Sequence, residues 1–205
     1  MNEKYKEKSR KTFNEVASEF DEKDHKISSR AKEFIFRKMI VRDKDKVLDV
    51  ACGTGTLLKR ISKDIHIEGY GIDIAENMIK IAKEKCPDMT FKVADSENIP
   101  FSDEYFDVMT VSAAYHHFPD VDSFAKEANR VMKEAGLLYI ADPYYSNLKG
   151  KLINKLLPLS HSGDVKFYTP QEIVDNFEDN NFVCKKVLHK DNIQLLIFKK
   201  FETVD

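Results

Sequence analysis

From residue 46 to residue 142 the chain alternates short apolar runs with amphipathic helical segments, and this alternation limits its fold more than any other feature. The runs are KVLDV, HIEGYGI, TFKVA, FDVMTV and LLYIA. Between them, apolar residues recur at helical spacing: Leu57, Leu58 and Ile61, then Met78, Ile79 and Ala82 in a helix over Ala75–Lys85 that Pro87 ends. A further helix uses Val121, Phe124, Ala125, Ala128, Val131 and Met132, and Gly136 breaks it before LLYIA. Strands separated by helices of this length pair in parallel through right-handed crossovers.

The flanks differ. Phe13, Val16, Ala17 and Phe20 make one apolar stripe, and a second helix, N-capped by Ser28 or Ser29, uses Ala31, Phe34, Ile35 and Met39. After Pro143 the alternation lapses. Leu148, Leu152, Ile153, Leu156 and Leu157 form a helical stripe ending at Pro158, either packed on the sheet edge or a mobile lid, before a polar turn at His161-Ser162-Gly163-Asp164. Thr169-Pro170-Gln171-Glu172 is a capping box with proline in the first turn. VCKKVL and IQLLIF, linked at His189–Asn192, read as an antiparallel pair. The expectation is a single α/β domain: a helical cap (1–45), a core (46–142), an insertion (143–168), and a last helix with hairpin (169–205).

Composition removes several function classes. With 33 basic and 35 acidic residues the net charge is -2, unlike a dedicated nucleic-acid binder. Apolar runs of about five residues fall far short of the roughly 20 that a membrane helix needs. The charged N-terminus lacks the apolar core of a signal peptide. Three scattered cysteines, Cys52, Cys86 and Cys184, suit a reducing cytoplasm and form no zinc ribbon or disulfide framework. The acidic surplus is local: residues 47–142 carry 10 basic and 17 acidic side chains, whereas residues 1–46 carry 14 and 10.

The most specific local signal is Val47-Leu48-Asp49-Val50-Ala51-Cys52-Gly53-Thr54-Gly55, a buried strand ending in a carboxylate and a Gly-x-Gly turn. In open α/β sheets ligands bind at this carboxyl edge. A dinucleotide fingerprint needs a third glycine, but Leu58 stands there, and Asp49 would repel a pyrophosphate. The ligand is better matched by a nucleoside with a cationic or zwitterionic tail. Asp73 ends the second strand, 20 residues beyond Gly53, where an acid accepts hydrogen bonds from ribose hydroxyls. Asp95 ends the third strand, suited to an adenine amino group.

VLDVACGTG, GYGIDIAENMI, FKVADSENIPF, FDVMTVSAAYHHFPD and KEAGLLYIADP together resemble the successive motifs of class I S-adenosylmethionine-dependent methyltransferases, in particular the type 11, UbiE-like small-molecule group. FNEVASEFD resembles that group's entry helix. The resemblance, over about residues 10–142, implies a Rossmann-like three-layer sandwich, a seven-stranded mostly parallel sheet with a C-terminal antiparallel hairpin. It implies S-adenosylmethionine as cofactor, S-adenosylhomocysteine as product, and methyl transfer by in-line displacement. It implies that Gly53 and Gly55 lie against the methionine portion with Asp49 near its amino group. By the same resemblance Asp73 takes the ribose, Ile74 or Met78 packs on adenine, Asp95 and Ser96 meet its edge, and Ser112 lies near the sulfonium.

Because a sulfonium carries its own leaving group, alignment and exclusion of water dominate, and a base is needed only if the acceptor must lose a proton. His116 and His117, beyond the fourth strand, are the candidates for that base. No metal site is expected, since adjacent histidines splay apart and no third ligand has a recognisable spacing. Tyr115, Tyr144 and Tyr145 are candidates to line an aromatic acceptor pocket, and Cys52 reads as a small buried residue. In quinone methyltransferases of this group the strand-four segment continues with an arginine-asparagine pair, where this chain has Ala114-Tyr115-His116-His117, which argues against a carbon-methylated quinone. The expected partner is a small-molecule acceptor, not nucleic acid, for a cytoplasmic monomer or homodimer without a membrane span. The rival readings are a non-catalytic cofactor-binding module and, opposed by the missing glycine, a nicotinamide oxidoreductase.

Overall fold

In KVLDV, successive side chains point to opposite faces, so a strand with apolar residues on one face (Leu48, Val50) and on the other (Val47) must be covered on both sides. A computed structural model, describing residues 2–22, 26–145, 147–157 and 163–201, builds that arrangement. Strand β1 (Lys46–Val50) sends Val47 into one core and Leu48 and Val50 into the other. The same division holds in β4 (Phe106–Ser112), with Val108 opposite Met109 and Val111, and in β5 (Met132–Pro143), with Tyr139 opposite Leu138 and Ile140.

Together with β2 (Glu68–Asp73), β3 (Thr90–Val93), β6 (Phe182–Lys190) and β7 (Ile193–Lys200), these form one seven-stranded sheet in the order β3-β2-β1-β4-β5-β7-β6. The first five pair in parallel, while β7 lies antiparallel between β5 and β6. The chain therefore has the Rossmann-like α/β fold. Its strand order reverses between β1 and β4, opening a crevice at their carboxyl ends.

Helices α2 (Lys26–Lys38), α3 (Thr56–Ile61) and α4 (Glu76–Lys85) cover one face through Phe34, Ile35, Leu57, Leu58, Ile79 and Ala82. Helices α5 (Val121–Val131) and α7 (Pro170–Glu178) cover the other through Phe124, Ala128, Ile173 and Phe177. Helix α1 (Asn2–Val16) and the 3-10 turn Ala17–Glu19 lie against α4, where Phe13, Val16 and Ala17 meet Met78. Among the described residues no helix is long and apolar enough to cross a membrane.

Four local expectations change. Helix α2 begins at Lys26, so Ser28 and Ser29 lie inside its first turn and do not cap it. Met132 and Gly136 belong to β5: Met132 pairs with Phe106, Leu137 with Val108, and the extra residues loop out as an irregularity where Ala135 has φ +59°. The apolar stripe of α6 (Asn147–Leu156) is not packed as a unit, since Leu152 and Leu156 are exposed. The link between β6 and β7 tightens to Asp191 and Asn192, both in the left-handed region that a two-residue hairpin turn requires. Leu148 and the His161-Ser162 half of the polar turn lie outside the described side chains.

Candidate active site

The Gly-x-Gly turn takes the chain from β1 into α3 through three left-handed residues, Ala51 (φ +56°), Gly53 (φ +54°) and Gly55 (φ +74°). For alanine that conformation is strained, and it recurs at Ala113 (φ +50°) directly after β4. Both alanines line a cleft of about 650 Å³ at the carboxyl edge of the sheet, within the size range of small-molecule sites. Gly53 forms part of its floor: a Cβ there would sit 3.8 Å from Phe20 and 3.9 Å from the Met78 sulfur. Gly55 faces inward, where a Cβ would lie 3.1 Å from Phe91 and 3.3 Å from Ala82, and it does not reach the cleft wall.

The strand-end carboxylates occupy different depths. Asp73 lies on the wall, where its two oxygens accept the backbone N–H groups of Gly53 and Ala75, each at 2.9 Å. Burial raises its pKa against these hydrogen bonds. Ile74, Met78, Asp95, Ser96 and Ser112 line the same cleft. Asp95 accepts the Glu97 N–H at 3.0 Å and pairs with Lys6 of α1 at 2.6 Å. Lys6 also pairs with Glu97, and although burial opposes its charge, the two carboxylates raise its pKa. Asp49 is fully buried behind the wall: Thr110 donates to its Oδ1 at 2.7 Å, and burial pushes its pKa up to about 6. Asp49 Oδ2 and Ser112 Oγ are among the buried oxygens with no hydrogen-bond partner among the described residues, and Ser112 lines the cleft. A polar ligand group fits there.

At the end of β4 the wall changes character. His116 Nδ1 lies 2.8 Å from Oδ1 of Asp142, a fully buried residue of β5, which fixes the imidazole with Nε2 away from that carboxylate. His116 Nε2 is 3.5 Å from Asp164 Oδ1, and His117 Nδ1 is 3.2 Å from the same oxygen. The two rings lie 4.1 Å apart at 39°, so they are not splayed. Burial opposes charge on His116, but Asp142 and Asp164 outweigh it and raise the pKa; burial and His116 push His117 well down. The segment bearing Asp164 is tied back to the loop, because the His116 carbonyl accepts the Val165 N–H at 2.8 Å.

Some wall residues were not visible in the sequence. Phe13, Phe20, Phe118 and Phe167 supply its aromatic surface. The three tyrosines do not: Tyr115 is fully buried in the core with Asn176 donating to its hydroxyl, Tyr144 packs on His189, and Tyr145 packs on Phe167. Lys32 of α2 also lines the cleft, its pKa lowered by burial against the opposing charges of Asp49 and Asp21. Asp142 carries the same signal as the other acids, a carboxylate near the end of a core strand, whereas Lys32 and Asp164 have none in their local sequence.

Comparison with known proteins agrees with this architecture. The methyltransferase domain family matches residues 48–140. A demethylmenaquinone methyltransferase from Thermotoga maritima is 31% identical over 89% of this chain and 91% of its own length. The match to one from Staphylococcus carnosus, 32% identical, spans 66% of this chain and 60% of that protein. Among solved structures, a Haloferax volcanii protein in complex with the Trm112 methyltransferase activator superimposes with a TM-score of 0.83 at 18% identity, over 96% of this chain and 99% of that one. Geranyl diphosphate C-methyltransferase from Streptomyces coelicolor, solved with S-adenosylhomocysteine, gives 0.75 at 12% identity, over 86% and 80%.

Proposed function

Given that the chain belongs to the S-adenosylmethionine-dependent methyltransferases and transfers a methyl group from that cofactor, we propose that the cleft is the shared site of cofactor and acceptor, and that the acceptor is a small, largely apolar molecule bearing an acidic hydroxyl. The cofactor supplies an electrophilic methyl on a sulfonium. One observation carries the proposal: a single cleft joins the nucleoside-type carboxylates Asp73 and Asp95 to the histidine wall His116, His117 and Asp164.

In this proposal Asp73, ordered by the Gly53 and Ala75 amides, accepts the ribose hydroxyls with its remaining lone pairs. Ile74 and Met78 flank adenine, and Asp95 and Ser96 meet its edge, with Lys6 sharing Asp95. Gly53 leaves room for the methionine portion, Lys32 meets its carboxylate, and Ser112 Oγ faces the sulfonium end. Asp49 acts on Lys32 by its field from behind the wall, and Gly55 serves the packing of the turn. The phenylalanines exclude water and favour an aromatic or aliphatic acceptor body. The acceptor hydroxyl loses its proton at the histidine wall, with Asp142 holding His116 in place. Demethylmenaquinone, named for the relatives, is less favoured as acceptor than another small hydroxyl compound, because Ala114-Tyr115-His116-His117 stands where quinone methyltransferases carry an arginine-asparagine pair. Free Cys52, Cys86 and Cys184 support a cytoplasmic location.

The test is a screen of phenolic and enolic acceptors with radiolabelled cofactor. With the acceptor found, His116→Ala should lower kcat about 100-fold or more, the scale of general acid–base help, and leave S-adenosylhomocysteine affinity within twofold. Undiminished kcat would remove the histidine wall from the reaction.

A further inference from the structure

We propose that His116, His117 and Asp164 form a divalent transition-metal site at the acceptor end of the cleft. The inference rests on the acceptor end proposed above. One ligand atom from each residue lies within 4.8 Å of the other two. The two measured separations, 3.5 Å from His116 Nε2 and 3.2 Å from His117 Nδ1 to the same Asp164 oxygen, are those of atoms sharing one ion. Ligands about 2.0–2.2 Å from a tetrahedral ion stand roughly 3.4 Å apart.

The tautomers agree with this. Asp142 takes His116 Nδ1, leaving the Nε2 lone pair towards Asp164. The Gly163 carbonyl hydrogen-bonds the His117 ring, and Nδ1 is the nitrogen that is buried with no hydrogen-bond partner among the described residues. Each imidazole thus has one nitrogen held by a protein acceptor and the other turned to the same carboxylate oxygen. Metal-binding histidines show this outer-shell pattern, with a carboxylate or backbone carbonyl fixing the ligating tautomer. The Asp142–His116 pair supplies the first kind and Gly163–His117 the second.

Two imidazoles and one carboxylate suit zinc, cobalt(II) or iron(II), and three protein ligands leave a coordination position for a ligand from the cleft that all three line. An acceptor hydroxyl oxygen placed there becomes more acidic. With both imidazoles occupied as ligands, its O–H bond breaks with the proton passing to solvent rather than to a histidine. The new O–CH3 bond then forms as the S–CH3 bond breaks, and the pair from that bond stays on sulfur. The ion thereby selects acceptors with an ionisable oxygen over those presenting carbon.

Metal-stripped full-length protein titrated with zinc and with cobalt(II) tests the site by calorimetry and by visible absorption. The expected result is one ion per chain and a cobalt band typical of four- or five-fold coordination. Asp164→Asn and His117→Gln should each weaken binding at least tenfold, and Asp142→Asn by 10–100-fold, about the cost of losing an outer-shell partner. S-adenosylhomocysteine binding, measured on each variant, verifies that it is folded. Stoichiometric binding that these variants do not weaken, or none by wild type, overturns the metal site. Wild type that fails to bind S-adenosylhomocysteine overturns instead the assignment of the cleft.

Discussion

Asp49 shows how far a single side chain's chemistry follows from its depth. It ends a strand beside a glycine turn, the sequence context of a ligand-contacting acid, yet it is fully buried with one oxygen unpartnered among the described residues. Its pKa is raised by burial to about 6, so the native state binds more protons than the unfolded chain between the ordinary carboxylate range and pH 6. Stability from this group is therefore complete at low pH and is lost as pH rises through about 6. The ionised form costs roughly 3 kcal/mol at neutral pH by the usual conversion of pKa shift to energy. Asp49→Asn should accordingly raise the stability of the cofactor-free protein at pH 7.5 and lose most of that advantage near pH 4.5, read from paired thermal melts. A melting difference that is the same at both pH values would show that Asp49 is not held protonated. The contrast with Asp73 explains what sequence could convey at this scale. Asp73 is fixed by amides close by in sequence or in the adjoining turn, so its place was legible, whereas the Asp164 contact depends on a segment with no periodic pattern.

Elements whose ends are set by local chemistry were the legible ones. Helix α7 begins as the capping box foretells, with Thr169 Oγ1 accepting the Glu172 N–H and Glu172 accepting the Thr169 N–H. Thr169→Ala should cost about 1 kcal/mol, and in a chain of this size lower the melting temperature by roughly 2–4 °C, with α7 still formed in circular dichroism. An unchanged melting temperature would mean that packing of Ile173 and Phe177 alone sets the helix start. Strand β5 departs from its local sequence pattern for a tertiary reason. Gly136 reads as a breaker locally, but in the fold it lies where a Cβ would come 2.9 Å from the Lys133 carbonyl and 3.2 Å from that of Asp107, so the strand passes through it as an irregularity. The exposed Leu152 and Leu156 of α6 follow the same lesson: helical periodicity identifies a face without saying what covers it.

Across the whole molecule, the reversal of strand order between β1 and β4 gathers residues from distant segments at one edge. The acidic surplus of residues 47–142 has two uses there. Asp73 and Asp95 line the cleft, while Asp49 and Asp142 stand fully buried behind side chains that do, Lys32 and His116. Helix α1 closes the cleft through Phe13 and through Lys6 on Asp95, so the N-terminal segment belongs to the site as much as to the fold. In the proposed function this cleft divides into a cofactor end and a proton-handling end. Calorimetric titration of S-adenosylhomocysteine into wild type, Asp73→Ala and His116→Ala tests it most directly. Wild type should bind stoichiometrically, Asp73→Ala should lose about 2–4 kcal/mol as charged hydrogen bonds are removed, and His116→Ala should change affinity by no more than twofold. Equal affinity for wild type and Asp73→Ala, or a large loss for His116→Ala with the fold intact, would contradict it.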